Sequence, residues 1–521
     1  MKRCPECQHT YTDETIRFCR FDGTGLVNEL PLEFSETQIL PAIRQSVEVP
    51  TQLLQNTPSI AVLPFSNMSA DAENEYFCDG LAEELLNALA KIDELKVAAR
   101  TSAFSFKGKN TNVSEVGRVL NVNSVLEGSV RKSGNRLRIT VQLINAANGY
   151  HLWSERYDRE MQDIFDVQDE ITLAVVDALK VKLLGEEKAA VLKRGTDNTE
   201  AYEFYLKGIY HSNKYTTEGW TQAIEYFDEA TRKETKYAAA FAGKANCQHY
   251  LYYYAVISPD EIIDEWRATT MRALELDDGV AEAHLSLAQY YFYRKRDWEC
   301  VEREFERAIE LNPNSTDAHQ FYGMFLASRE RFEEGIREGE IALELDPLSL
   351  SANIHVSWIS WAANRFDDTL RQAERMIEIE PHFSGAYFQK GMAHLGKRER
   401  TSTLEAFQKA SNLAGTTYVL SYLGWAYALA GKREEALAVI NELLEAKKRE
   451  FTPAINIARV YGGLSETDKT YEWLEKALDE HNGEMVYLDV QSKAGEGVFW
   501  GKDFRTDSRF PDLMRRVGAL S

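Results

Sequence analysis

The spacing of apolar residues changes along the chain, and each change marks a different kind of structure. From Ser59, the short apolar run "SIAVLPF" reads as a buried strand by its length and β-branching. "DGLAEELLNALAKI" places Leu81, Leu85, Leu89 and Ile92 on one helical face, with Asp79 at the expected N-cap and acids in the first turn. "LKVAAR" predicts a second strand and "VSEVGRVLNV" a short helix. "NSVLEGSVRKSGNRLRITVQLINAANG" alternates apolar and polar residues around Ser133-Gly134-Asn135, the pattern of a hairpin. A long helix over roughly Val167–Leu184 closes this unit, which is assigned to residues 58–186.

Beyond residue 187 the pattern is helical throughout. Pro313, Pro347 and Pro381 stand 34 residues apart and end the segments "AIELNP", "ALELDP" and "MIEIEP". Small residues recur in phase with them: Gly323, Ser357, Gly391, Gly424 and Ala458 in the first helix of each pair, and Ala308, Ala342, Ala410 and Ala477 in the second. Two helices that cross closely need such residues at the crossing. The period and punctuation resemble those of tetratricopeptide repeats. About eight helix pairs are expected, and the solenoid is assigned to residues 187–482. The fold class expected is therefore multidomain and mainly α: a small N-terminal module, an α/β domain with a mixed sheet, then an α-solenoid.

A solenoid of this kind binds on the concave face formed by its first helices. With the small residue as phase marker, Gln320, Met324, Ile354, Trp358, Trp361, Phe388, Met392, Ser421, Trp425 and Arg459 point inward. That row is apolar and aromatic, suited to an amphipathic helix or an extended apolar peptide. Repeat proteins that clamp a chaperone's C-terminal carboxylates use Lys, Arg and Asn there, so that partner class is disfavoured. A second reading stays open, in which these rings pack between repeats or against the chain's own C-terminal segment. Tyr250, Tyr252, Tyr253 and Tyr254 are expected in a helix core. The C-terminal segment, 483–521, is expected to cap the last hydrophobic face with Phe499, Trp500, Phe504 and Phe510.

"SIAVLPFSNMSADAENEYFCDGLAEELLNAL", "RTSAFSFKGK", "VLEGSVRKSGNRLRITVQLINAANGYHLWSERYDRE" and "IFDVQDEI" together resemble the TolB-type amino-terminal (FlgO-like) domain. That domain commonly precedes tetratricopeptide arrays in bacterial adenylate cyclases and winged-helix regulators, and the resemblance implies an α/β module with no assigned chemistry. His151, Glu155, Arg156, Tyr157 and Asp158 crowd together, which invites a catalytic reading. The plainer reading has "HLWSERYDRE" ending a strand, with Trp153 packed and the polar groups satisfying loop backbone. The sequence contains no Gly-x-Gly-x-x-Gly, P-loop, Gly-x-Ser-x-Gly or His-Glu-x-x-His motif. Nor can the 57 residues ahead of the α/β unit hold the cyclase or DNA-binding domain of those relatives.

Near the N-terminus, Cys4-Pro-Glu-Cys7 forms a turn that aims two thiolates at one point, and Cys19-Arg-Phe-Asp22 supplies a second such turn. Asp22 stands where a fourth cysteine would be, and a carboxylate is an acceptable zinc ligand. His9 competes for that place. Residues 1–28 resemble the short bacterial zinc ribbons written CPxC…FCxxDG, which implies a structural zinc on Cys4, Cys7, Cys19 and Asp22. The alternative is three free thiols on a tail. Residues 29–57 carry three prolines and no clear period, and read as a linker.

Composition narrows the partners. A net charge of −22 repels phosphate backbones, so nucleic acid is disfavoured, although Lys2, Arg3, Arg17 and Arg20 leave the ribbon a minor nucleic-acid reading. Six cysteines, three of them scattered, suit a reducing compartment. With no apolar leader and no run long enough to span a bilayer, the expected location is the cytoplasm. The expected function is a non-catalytic scaffold or signalling adaptor that binds a protein or peptide, with homo-oligomerisation through the α/β domain. A ligand- or nucleotide-sensing regulator acting through a pocket near His151 and Arg156 is the alternative.

Overall fold

A computed structural model describes residues 57–518 apart from 110, 184, 495–499 and 501–502, together with the pairs 2–3, 10–11 and 27–28. Residues 1–53 and 54–521 form two separate compact units. In the first, β1 (Lys2–Arg3) pairs antiparallel with both β2 (Thr10–Tyr11) and β3 (Val27–Asn28). The expected zinc ligands Cys4, Cys7, Cys19 and Asp22, with the competitor His9, lie outside the described residues.

The second unit opens with a mixed sheet. β4 (Ser59–Val62) runs parallel to β6 (Lys96–Val97) and to β7 (Ser124–Ser133), and β5 (Ser66–Asn67) also pairs parallel with β7. β7, β8 (Arg136–Asn145) and β9 (His151–Glu160) then form an antiparallel meander. The β7–β8 register ends at Ser133 opposite Arg136, so the turn holds two residues, and Gly134 has φ +57°, the left-handed conformation such a turn requires. Ile60, Val62, Leu126, Ile139 and Val141 face α1 (Glu75–Ala90) and α4 (Ile164–Leu179) in one core. On the opposite face, Ala61 and Val125 pack with Ala103 of α2 (Arg100–Phe104) and with Val116 and Leu120 of α3 (Val113–Leu120).

Two expectations are corrected here. Asp79 is not an N-cap: α1 starts at Glu75, and Asp79 is buried inside it, held by Lys107 at 2.6 Å. The acid-rich stretch resembled a helix start, whereas its carboxylate answers a lysine brought from downstream. "HLWSERYDRE" is not the end of a strand but the whole of β9, an edge strand along which only Tyr157 is buried. Its charges face solvent and so keep the sheet edge from pairing with another chain.

After α5 (Gly185–Val191), eight helix pairs follow among the described residues. They are α6 (Thr199–Ser212) with α7 (Thr217–Lys233), α8 (Ala238–Tyr253) with α9 (Pro259–Leu276), α10 (Ala281–Tyr290) with α11 (Trp298–Leu311), and α12 (Thr316–Ser328) with α13 (Phe332–Leu345). The array continues with α14 (Leu350–Ala362) and α15 (Phe366–Ile379), α16 (Ser384–Gly396) and α17 (Arg400–Ala414), α18 (Thr417–Leu429) and α19 (Arg433–Ala446), and α20 (Ala454–Gly463) and α21 (Thr467–Asp479). The small residues sit at the crossings. A Cβ on Gly323 would come within 2.8 Å of the Gly335 carbonyl oxygen, and Ala342, Ala410 and Ala477 are fully buried.

A second periodic device was not anticipated from the sequence. Glu330, Asn364, Arg398, Gly431 and Ser465, each seven residues after the small residue of its helix, all have positive φ between 58° and 76°. At each, the next amide reaches back to close the helix, as in Arg331 N–H to Leu326 O at 2.9 Å and Arg365 N–H to Ser360 O at 2.8 Å. Only one of the five is glycine, so residue type gives little warning of the turn.

Of the tyrosine run, Tyr250 and Tyr252 are buried in α8, whereas Tyr254 lies just past its end, exposed rather than in the expected helix core, and stacks on Trp220 at 5.4 Å. Beneath it His249 is wrapped by Tyr250, Tyr253, Trp266, Tyr293 and Phe321, and neither ring nitrogen has a hydrogen-bond partner among the described residues. Burial pushes its pKa down to about 3, and that of nearby His355 down to about 4.

Two predictions follow from this packing. An unfolded chain protonates these histidines near pH 6.5 and the folded one does not, so their contribution is complete above that pH and is lost as pH falls toward 4. Asp346 and Glu84, raised to about 6 and about 7 by burial, act with the opposite sign. The histidine effect is therefore read as a difference between variant and wild type. His249→Phe should leave Tm at pH 7.5 unchanged or higher and should lessen the fall in Tm between pH 6.5 and 4.5, measured by calorimetry. An equal fall in both proteins would show that His249 is not the titrating group. Gly323→Ala should cost about 1–3 kcal/mol, because the backbones of α12 and α13 must separate, and should lower the thermal midpoint.

Candidate functional site

The inner face is built from the first helices of successive pairs, which is where the sequence placed its partner-binding row. Ile354 and Trp358 are half-buried there. Gln320, Met324, Trp361, Phe388, Met392, Trp425 and Arg459 are buried. The expectation of an open row of anchors is corrected for these seven: packing between repeats buries Phe388, and the chain's own later segment covers Arg459.

The cover is the segment after the last pair. A single turn at Gly483–Tyr487 leads into α22 (Leu488–Lys493), and Met485 and Leu488 are fully buried. Tyr487 sets its ring 4.7 Å from that of Trp358 and 5.7 Å from that of Phe292, and its hydroxyl lies 3.4 Å from that of Tyr293. The Tyr252 hydroxyl donates to the His481 carbonyl at 3.3 Å. Lys493 pairs with Glu330. Further on, the segment reaches the third pair: Arg296 donates to the Arg516 carbonyl at 2.7 Å, and the Trp298 indole donates to the Gly518 carbonyl at 3.1 Å. Trp500, Phe504 and Phe510 are buried with α23 (Phe510–Arg516) against the last pair, and Phe499 lies outside the described residues.

Arg459 on α20 is the most constrained member of the row, with no exposed side-chain surface. Its guanidinium donates to the Ser421 hydroxyl at 2.6 Å and to the Asn456 side-chain oxygen at 3.1 Å. The Tyr422 ring lies 4.1 Å from it and the Tyr418 ring 5.5 Å. Glu484 completes the set as its carboxylate. Burial opposes the charge, but Glu484 and the two tyrosines outweigh it, and the pKa stands above the ordinary arginine value. One feature of the sequence could have signalled this site: Arg459 is the only cation in an otherwise neutral row. Its acid sits in a segment that sequence alone cannot bring beside it. Elsewhere in the row, Phe388 packs among Phe407, Tyr418 and Tyr422, and Gln320 donates to Asp317 at 2.5 Å.

The other end of the inner face meets the α/β domain. The Asn314 side chain accepts from Val97 N–H at 2.9 Å and donates to the Ala90 carbonyl, while Asp346 accepts from Ser102 N–H at 3.0 Å. Both residues occupy the turns between repeats. A cavity of about 650 Å³ remains at this junction, lined by Glu83, Glu84, Arg100, Asn213, Tyr250 and Asp317 among others. Arg100 and Asn213 both bind Glu83, and the Tyr250 hydroxyl donates to Asp317 at 3.2 Å. Contrary to the pocket expected near His151 and Arg156, both side chains are exposed on β9, as are Glu155 and Asp158. Among the described residues no helix is long and apolar enough to cross a membrane, and no three His, Cys, Asp or Glu side chains converge as a metal site.

Comparison with known proteins gives partial matches. Residues 55–174 match the profile of the second domain of HilA/YgeH-like transcriptional regulators. A Rhizobium meliloti (strain 1021) protein named "Putative adenylate cyclase 3" is 36% identical over 262 residues, which cover 48% of this chain and 43% of that protein. The chain thus spans less than half the length of this relative. Among solved structures, yeast Tom70 is similar at 14% identity with a TM-score of 0.38, over 68% of this chain and 82% of that one. A thermophilic TPR protein of Thermus thermophilus is similar at 18% identity with a TM-score of 0.32, over 36% of this chain and all of that one.

Proposed function

We propose that the chain is a non-catalytic interaction scaffold whose solenoid holds a polypeptide along its inner face. The observation that carries this reading is that a polypeptide already lies there: residues 481–494 use an aromatic anchor, apolar side chains and one buried ion pair. These are the contact types by which grooves hold peptide segments. The surface assigned to a partner is the strip left open beside that segment, Ile354 and Trp358 with the exposed Tyr418 ring. Gln320, Met324, Trp361, Phe388, Met392, Trp425 and Arg459 support it from beneath. The exposure of His151, Glu155, Arg156 and Asp158 on an edge strand speaks against a catalytic centre in the α/β domain. The likeness of residues 58–186 to TolB-type amino-terminal domains belongs to the same proposal, as does cytoplasmic location.

A second reading, a small-ligand sensor, is favoured by the cavity between the α/β domain and the first repeats rather than by β9. At the N-terminus we assign a structural zinc to Cys4, Cys7, Cys19 and Asp22, on spacing alone.

The scaffold reading is tested by placing a photo-cross-linking p-benzoylphenylalanine at Tyr418 on the inner face or at Ile341, exposed on a second helix. In native lysate the Tyr418 position should capture a defined set of polypeptides that the Ile341 position does not. Identical products from both sites, or intramolecular products alone, would remove the inner face as the partner site. For the ribbon, elemental analysis of the purified chain should find one zinc, lost in a Cys4→Ser/Cys19→Ser variant. A metal-free wild-type chain would leave three free thiols.

A further inference from the structure

The inner face carries a demand for a specific chemistry. Arg459 is sealed from water, and a buried guanidinium without a carboxylate is strongly unfavourable, so some acid must occupy its Nη2 side. Ser421, Asn456 and the Tyr422 ring fix where that acid can sit. Glu484 fills the place, and one turn later Tyr487 delivers a ring to Trp358. The two contacts are three residues apart on one short helical turn, with Met485 buried beneath and Leu488 directly after.

We propose that Glu484–Leu488 occupies, within the chain, the site a partner uses, and that the partner presents the same pattern: a carboxylate, two apolar residues, an aromatic ring and a further apolar residue on one helical turn. The partner's acid takes Arg459 and its ring takes Trp358, and the chain's own segment leaves. This inference rests on the reading of the inner face as a polypeptide site and adds both the ligand's chemistry and the reason the site is closed at rest. Several contacts of the segment are of a kind that can be exchanged. The Glu484 side chain keeps 17% of its exposure, Lys493 pairs with Glu330 at the surface, and His481 meets Asp260 across exposed side chains at 3.1 Å.

The probe is a capped, fluorescently labelled peptide with the sequence of residues 480–494, EHNGEMVYLDVQSKA, titrated into the full chain by anisotropy. Full-chain Tyr487→Ala, which weakens the resident segment and leaves Arg459 and Trp358 intact, should bind it at least about tenfold more tightly than wild type. Peptides carrying Gln for the acid or Ala for the ring should each lose about tenfold on the same variant. Should Tyr487→Ala fail to fold, Glu484→Gln replaces it, and hydrogen exchange on wild type gives an independent reading. Amides of 484–493 should exchange faster than those of α18 and α20, since the segment leaves while the repeats stay folded. Equal protection of the segment and α20, or the same weak binding by all three peptides, overturns the proposal. Cross-links from Tyr418 that the peptide does not compete would keep the scaffold reading and end this one; absence of cross-links from Tyr418 would end both.

Discussion

A stack of helix pairs buries each pair against its neighbours but has nothing with which to bury its inner face. That constraint governs this molecule. The first helices bring Trp358, Trp361, Phe388, Trp425 and Arg459 to one side, more apolar surface and more charge than a water-filled groove would hold at no cost. The chain answers with its own ends. The α/β domain packs on the array, where Asn314 and Asp346 anchor it to inter-repeat turns, and the segment after the last pair reaches back to the second and third pairs, where His481 meets Tyr252 and Gly518 meets Trp298. One core of packed side chains therefore runs from Ile60 of the sheet through the early repeats to Tyr487 of the closing segment.

The ion pair of Arg459 and Glu484 gives that closure its register. Apolar contacts alone would let a short segment slide along an aromatic face, since rings accept one another in many orientations. A sealed guanidinium accepts one position of one carboxylate, and breaking such a pair costs about 3–5 kcal/mol. In the proposed exchange, the same property selects the incoming segment.

The buried polar groups of α8 and α14 show what such packing does to titratable side chains. His249 and His355 stay neutral because the aromatic cage offers no counter-charge, while Asp346 and Glu84 are raised by the same burial at the domain junction.

Much of this was legible in the sequence. The 34-residue spacing of Pro313, Pro347 and Pro381 and the in-phase small residues determine the helix pairs, because close crossing admits few side chains. Alternation around Gly134 determines the hairpin, since side chains on a strand must face opposite ways. Helical phase also proposes which residues form the inward row. What phase cannot say is what stands opposite that row. Asp79 meets Lys107, Asn314 meets the sheet, and Glu484 meets Arg459 across separations of 28, 217 and 25 residues. No local period encodes such pairs: the first exists only once the α/β domain has folded, and the other two only once the solenoid has brought the sheet and the closing segment beside its helices. Whether Trp358 and Arg459 are open anchors or covered ones was decided there, by the tertiary structure.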